Sequence, residues 1–256
     1  MLTKIIYLLI KIIIFNYIII ASVLSDETVI NFEDGSSYKG EVFDGKMNGV
    51  GIFTSSKNQY DQQLLYNGEF RDGKFDGKGS LIFYNGDSYE GVFSEGLMHG
   101  KGILSFANGT IYEGLFVNGK KEGKGKLIYS DGVKYIGDFT NDAIEGIGEI
   151  VYADGSQYKG DFFNNLMHGN GSIIFTDGSS YKGNFLKGNY NGTGLFTFPD
   201  GTYYKGEFKN GLREGPGELV YIDDTRQSGI FKNGNFVGEV KITFPDGTVQ
   251  KKILNK

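Results

Sequence analysis

From Tyr38 to the end of the chain, apolar and polar positions alternate in short bursts separated by polar turns. Residues 89–111 show the unit. Tyr89, Gly91 and Phe93 alternate with polar or variable residues, which puts all three on one side of a short strand. A turn ending at Gly96 follows, and a second stretch places Leu104 and Phe106 on one face before Asn108-Gly109 closes it. The pattern predicts a β-hairpin followed by a tight turn into the next hairpin. Tyrosines 66, 89, 112, 135, 158, 181 and 204 each stand 23 residues apart. With that tyrosine as offset 0, all 41 glycines fall at offsets 2, 7, 11, 13 and 20. Only glycine enters positive-φ conformations freely or lets another group lie directly on the backbone, so such strictness specifies backbone geometry. A fixed period of this length means an array of small identical units.

The exceptions carry information too. Where glycine is missing at offset 7 the chain has Asp142 and Asn165, and at offset 20 it has Asp224. Asn and Asp tolerate the left-handed region best among other residues, so these positions call for positive φ. Offset 4 is Phe in every repeat but the first, which has Val42, and offset 17 is Phe or Tyr from Phe83 to Phe244. Glycine at offset 2 leaves room for a neighbouring ring. The array opens on a lone second strand, Val29 to Phe32, and carries a five-residue insertion within 54–65. It closes on a degraded unit with Gln227 for tyrosine and Val240 for glycine. The expected fold is all-β: an elongated, twisted, single-layer antiparallel sheet of consecutive 23-residue hairpins, preceded by an N-terminal hydrophobic helix. About nineteen strands at about 4.8 Å each would extend roughly 90 Å. The domain reading is a leader over 1–25, the array over 26–249 and a polar tail over 250–256.

Tyr66-Asn-Gly-Glu-Phe-Arg-Asp-Gly-Lys-Phe-Asp-Gly-Lys-Gly, echoed in each following unit, resembles the MORN (membrane occupation and recognition nexus) repeat. The resemblance covers essentially everything after the leader. It implies a non-catalytic adaptor with roles such as membrane association, scaffolding or self-association, including a homodimer. Some members of the family join this module to a catalytic domain, as in plant-type phosphatidylinositol phosphate kinases. No such domain accompanies it in this sequence, so the resemblance carries no kinase activity over.

The first 25 residues stand outside the grid. Lys4 and Lys11 precede an apolar run from Ile12 to Leu24, followed by small residues and Asp26-Glu27. This thirteen-residue run, broken only by Asn16 and Ser22, suits the core of a secretory signal peptide better than a bilayer span, with cleavage expected after Ser25. A retained signal-anchor, and so membrane attachment through this segment, is the alternative. The expected location is the secretory or endomembrane system. Residues 26–256 carry 24 basic against 31 acidic side chains, a balance of −7, which argues against nucleic acid and against simple binding to anionic lipid. The absence of cysteine removes disulfides and thiolate metal sites. Sequons at Asn108, Asn170 and Asn191 fit a secretory route, but Asn-Gly also suits the turns of the array.

Little catalytic chemistry is legible. His99 and His168 share offset 10 but are three repeats apart, about 29 Å, and read as polar turn residues. The Asp/Asn ladder at offset 19, from Asp34 to Asp246, would space its rungs about 10 Å apart, too far to share a calcium ion. Acidic residues at offset 3, Glu41, Glu69, Asp138, Asp161 and Glu207, are expected to face water and pair across strands. Lys120, Lys121, Lys124 and Lys126 form the best candidate patch for an anionic head group, as a peripheral phosphoinositide-binding module would need. No enzyme and no cofactor are expected. One face carries Tyr66, Phe70, Tyr89, Phe93, Tyr112, Phe116 and Tyr135, and continues through Phe139, Tyr158, Phe162, Tyr181, Phe185, Tyr204 and Phe208. Either the sheet curls enough to bury these rings against each other, or they line a lengthwise groove that holds a protein partner or a second copy.

Overall fold

The computed structural model describes residues 28–58, 60 and 62–254. The expected N-terminal helix, and with it the leader over 1–25, lies outside the described residues. Among those described there are twenty β-strands and no helix. They group into two compact units, one of residues up to 85 together with 93–96, the other of 86–92 with 97 onward.

The first unit contains β1 (Thr28–Asn31), β2 (Ser37–Phe43), β3 (Lys46–Thr54), β4 (Leu65–Arg71) and β5 (Lys74–Ile82). Each pairs antiparallel with the next. After β6 (Ser88–Ser94), the second unit runs through β7 (Leu97–Ser105), β8 (Ile111–Val117), β9 (Lys120–Ile128), β10 (Lys134–Thr140) and β11 (Ala143–Val151). It continues with β12 (Gln157–Phe163), β13 (Leu166–Ile174), β14 (Ser180–Leu186), β15 (Asn189–Thr197) and β16 (Tyr203–Lys209). Its last strands are β17 (Leu212–Val220), β18 (Arg226–Lys232), β19 (Asn235–Thr243) and β20 (Val249–Leu254). From β7 to β20 each strand pairs antiparallel with its successor. Residues 250–254, expected as a polar tail, instead complete the final strand against β19.

Two kinds of turn alternate. Within a hairpin both central residues are left-handed, as in Asp72 (φ 51) and Gly73 (φ 84), or Asn141 (φ 48) and Asp142 (φ 72). That is a type I′ turn, whose twist matches the strands it joins. Positive φ at Asp142, Asn165 and Asp224 is as expected from their place on the grid. Between hairpins, Phe106 to Thr110 make a three-residue loop. The Phe106 N–H donates to the Thr110 carbonyl at 2.8 Å and the Gly109 N–H to the Phe106 carbonyl at 2.9 Å. The insertion occupies the β3–β4 connection, where the Ser55 N–H reaches the Leu64 carbonyl (2.9 Å) and the Leu64 N–H reaches Ser55 Oγ (2.8 Å).

The second strand of each hairpin is nine residues long against seven in the first, and the surplus is a bulge. In β4–β5, Gly68 faces Gly79 while Phe70 already faces Phe75. Gly77 turns the chain there at φ 104. The bulge takes the Lys78 amide off the ladder, and the Glu69 carboxylate accepts it at 3.1 Å. Glu41, Asp138 and Asp161 do the same for Val50 (3.1 Å), Ile147 (3.0 Å) and Asn170 (2.8 Å). These four offset-3 acids are therefore caps for a bulge, rather than only water-facing charges, whereas the residue at that place for Glu207 is Pro216, which has no amide N–H to offer. Asp138 also meets Lys124. Burial would raise its pKa, but the bonds from Lys124 and the Ile147 amide outweigh that and hold it below the usual range.

The core is one repeated packing figure. The Tyr66 ring lies flat over Gly68 and Gly79, so close that a Cβ on either would come within 2.7 Å of its atoms. Its Oη donates to the Glu69 carbonyl at 2.8 Å. Phe70 and Phe93 stand edge-on to it, each with centroids 5.0 Å away, and Phe75 stacks on its outer side at 3.8 Å. The second unit repeats this at Tyr181, with Phe185 (5.2 Å) and Phe208 (5.1 Å) at the edges and Tyr190 stacked at 3.8 Å. Each ring so buried contributes on the order of 2–3 kcal/mol, and each edge-on pair about 1 kcal/mol more. The space above the offset-2 glycine is filled by the tyrosine of the same repeat, not by a neighbouring ring.

Candidate functional site

All fourteen rings expected to line a groove are buried, with exposures from 0 to 6%. They pack as core side chains, and of the fourteen Tyr204 and Phe208 also line a small concavity. Glycine on both strands lets each tyrosine sink to the backbone, after which the phenylalanines and the offset-9 side chains enclose it. Burial pushes the hydroxyls of Tyr89, Tyr112 and Tyr181 up to about 12.

The lysine patch is divided by strand geometry. Lys121 turns to the tyrosine side, its Nζ 5.7 Å from the ring centroids of Phe106 and Tyr112 and 3.7 Å from Asp142. Lys120 reaches Asn141 Oδ1 at the hairpin end (3.3 Å). Lys124 and Lys126 emerge on the opposite face, and Lys124 lies 2.7 Å from Asp138. Four lysines spread over two faces, two of them ion-paired, do not make a single anion-binding cluster.

His168 sits across the ladder from Asp161 with its ring 5.7 Å from Phe163, while His99 keeps a buried Nδ1 with no hydrogen-bond partner. No group of three or more metal-ligating side chains occurs among the described residues. The offset-19 Asp and Asn residues accept the amide two residues on, as in Asn108 with Thr110 (2.9 Å) and Asp200 with Thr202 (2.9 Å). Hydrogen bonds from Ser36 and Ser179 hold Asp34 and Asp177 below the usual carboxylate range.

What sequence reasoning missed lies on the face away from the tyrosines. There a shallow hollow of about 840 Å³ spans β7 to β10, walled by Lys101, Ile103, Glu113, Leu115, Lys126 and Ile136 over a glycine floor. Its apolar members are exposed: Ile103 41%, Leu115 37%, Ile136 59%, with Ile147 at 60% on the next strand, β11. Offsets 1, 3, 12 and 14 are polar in most repeats, so apolar departures at those offsets were the available signal. A smaller concavity on the tyrosine side holds Tyr190, Phe196, Phe198 and Arg213. The Arg213 guanidinium is occupied there, 4.9 Å above the Phe231 ring and 2.6 Å from the Gly234 carbonyl.

The repeated hairpin, its glycine-seated tyrosine and its bulge define an all-β repeat protein. The MORN repeat profile matches residues 38–60, 66–88, 89–111, 112–134, 135–157, 158–180, 181–203, 204–226 and 228–249, and the chain belongs to that family. No curated protein matches it in sequence. Among solved structures it is similar to the TCP domain of SAS-4 (dCPAP) from Drosophila melanogaster, in complex with a proline-rich motif of Ana2. The identity is 18% over 61% of this chain and 85% of that one, and the TM-score is 0.40. It is also similar to the TCP10 domain of Danio rerio CPAP (14%, 88% and 94%, TM-score 0.44). Virginiamycin B lyase from Staphylococcus aureus is similar at 9% identity over 89% and 84%, with a TM-score of 0.17. Likeness to an interaction domain and to a lyase alike, all at such scores, decides nothing about function.

Proposed function

We propose that the chain is a non-catalytic scaffold that holds a protein partner on the face opposite its tyrosines, centred on the hollow over β7–β10. One observation carries this reading: the aromatic rings are spent on the core, whereas Ile103, Leu115 and Ile136 stay open to solvent around one hollow on that face, and Ile147 is exposed on the strand next to it. Contiguous exposed apolar groups rimmed by charge mark protein interaction surfaces. Lys101, Glu113 and Lys126 supply that rim. The leader sequence supports a place in the secretory or endomembrane system, and the N-terminal residue of the mature protein is expected to be Asp26.

Crosslinking and pull-down from the native source would compare wild type with Ile136→Asp/Ile147→Asp. Both side chains are exposed, so the circular dichroism spectrum should not change while specific partners are lost. An unaltered set of captured proteins would sink the proposal.

A further inference from the structure

On the tyrosine side of the second unit, rings gather in one place. The repeat that begins at Tyr181 carries Tyr190, Phe196 and Phe198 at offsets 9, 15 and 17, and it alone among the repeats is aromatic at all three. The ring centroids of Tyr190 and Phe196 are 6.3 Å apart, and those of Phe196 and Phe198 are 4.8 Å apart. These rings wall a hollow of about 230 Å³. Phe198 also borders a second hollow, of about 410 Å³, which reaches Leu219 and Tyr221. Arg213 lines both.

Arg213 takes the place over Tyr204 that Tyr190 takes over Tyr181, and its charge is unbalanced. Lys121, at the same offset, lies 3.7 Å from Asp142 of the next repeat. Gly234 stands where Asp142 does, so Arg213 meets a carbonyl instead, at 2.6 Å. No carboxylate among the described residues comes within ion-pairing distance of it. Its other contacts are the ring faces of Tyr204 and Phe231, at 5.5 and 4.9 Å. A guanidinium has five N–H donors, and the Gly234 carbonyl takes one of them. A cation set against rings, short of acceptors and bordering a hollow suits an anion with an apolar body.

We infer that these adjoining hollows bind a small aromatic carboxylate, with its charged end on Arg213 and its ring among Phe196, Phe198 and Tyr221. The planar carboxylate matches the fork of the guanidinium, which can donate two parallel hydrogen bonds to it. Size favours a small molecule over a peptide, since hollows that share Phe198 and Arg213 approach the roughly 300–1,000 Å³ of small-ligand sites. Asp200 narrows the charge. It lies at the wall of the larger hollow, with Oδ1 accepting the Thr202 amide at 2.9 Å. A negative group there counts against a doubly charged phosphate ester and leaves a monoanion.

The site lies on the side away from the proposed docking face, so either can fail without the other. The probe is 2-naphthoate, whose fluorescence can be followed because the chain has no tryptophan. An anisotropy titration of the full chain should saturate at one site. In competition, 2-naphthamide and acetate should each be at least about tenfold weaker, the first for want of charge and the second for want of a ring. Arg213→Met installs the residue that Met98 and Met167 supply at the same offset, so the array should fold, as its thermal midpoint would verify. That variant should bind naphthoate at least about tenfold more weakly and lose the preference over naphthamide. Phe196→Leu, the residue of Leu104 and Leu127 at that offset, should weaken naphthoate but keep the preference. A wild type that shows no saturable binding, equal affinity for naphthoate and naphthamide, or an affinity unchanged in Arg213→Met overturns the inference.

Discussion

The unit at Tyr204 and the unit after it at Gln227 use the same hairpin but fill the space above the backbone differently. In the first, the Tyr204 ring covers Gly206 and Gly217, and a Cβ on either would meet its oxygen at 2.3 or 2.4 Å. In the second, offset 0 is Gln227, offset 13 is Val240, which is 3% exposed, and the ring nearest the space over Gly229 is Phe236. Gly229 there has looser neighbours, at 3.0 and 3.2 Å. The glycine at offset 13 is therefore a consequence of the tyrosine and is lost with it, whereas offset 2 keeps its glycine, which also lies against the partner backbone. The other three, at offsets 7, 11 and 20, are left-handed in both units or held by Asp224, so they answer to the backbone alone.

The largest expected effect comes from alkali, which acts on the tyrosine-bearing units and spares the terminal one. An unfolded tyrosine ionises near 10, whereas burial lifts Tyr89, Tyr112, Tyr181 and Tyr190 to about 12. A folded-state value above the unfolded one gives stability that is complete below pH 10 and drains away as pH climbs through 12. Tyrosinate absorbance should therefore stay low at first and then rise together with loss of β-sheet dichroism. A smooth rise near pH 10 with the sheet intact would contradict the burial of these hydroxyls.

Next in size is a direct exchange between the two units. Gly217→Val drives a side chain into a ring held by its bond to the Glu207 carbonyl (3.0 Å) and by Phe208 and Phe231 at its edges (5.1 and 4.8 Å). It should cost about 3 kcal/mol. Tyr204→Gln/Gly217→Val copies the terminal arrangement, and its loss should fall short of the summed single losses by at least about 1 kcal/mol. Thermal midpoints of the four proteins decide the matter, and strict additivity would mean that ring and glycine are not coupled.

A smaller difference sits at the bulge. Asp161 accepts the Asn170 amide at 2.8 Å, while the terminal unit carries Ile230 at that offset and manages without a carboxylate. Asp161→Ala should cost about 1 kcal/mol. Ile230→Ala, with no cap to lose, should leave the protection of the neighbouring Glu239 amide in hydrogen exchange unchanged. Equal loss of protection at the two bulges would remove the capping role.

Much of this architecture is legible in the chain itself. Period, strands, turns and the demand for positive φ at Asp142 all follow from local patterns, because hairpins of this length are decided within 23 residues. The disposition of the rings is not, since alternation says which side a ring takes but not whether glycine lets it lie flat. That is why Tyr66 to Phe208 read equally well as groove or core. The split of Lys121 from Lys124 escapes for a related reason: the bulge between them changes which residues share a face, and a bulge has no signature in hydropathy. Gln250 to Leu254 resemble a tail because a strand without tyrosine or glycine matches nothing in the repeat, although its backbone continues the ladder.

The smallest expected effect separates glycine as a conformation from glycine as a space. Gly188 lies in a type I′ turn at φ 83, and nothing lies within 4 Å of the place a Cβ would take, so bulk has no part in its selection. Its counterpart Asn165 holds φ 66 and uses Oδ1 to accept the Ile144 amide of the preceding hairpin at 2.9 Å. Gly188→Ala should lose about 1 kcal/mol, the ordinary penalty for a left-handed alanine. Gly188→Asn should stay within about 0.5 kcal/mol of wild type, since asparagine tolerates that region and gains the amide of Met167 as a donor in the same geometry. The terminal unit supplies the control: Gly234, at φ 84 with equally empty surroundings, should rank the two substitutions in the same order. If alanine and asparagine prove equivalent at both turns, the left-handed backbone is not what selects these residues, and the conformational reason for Asp142 and Asn165 fails with it.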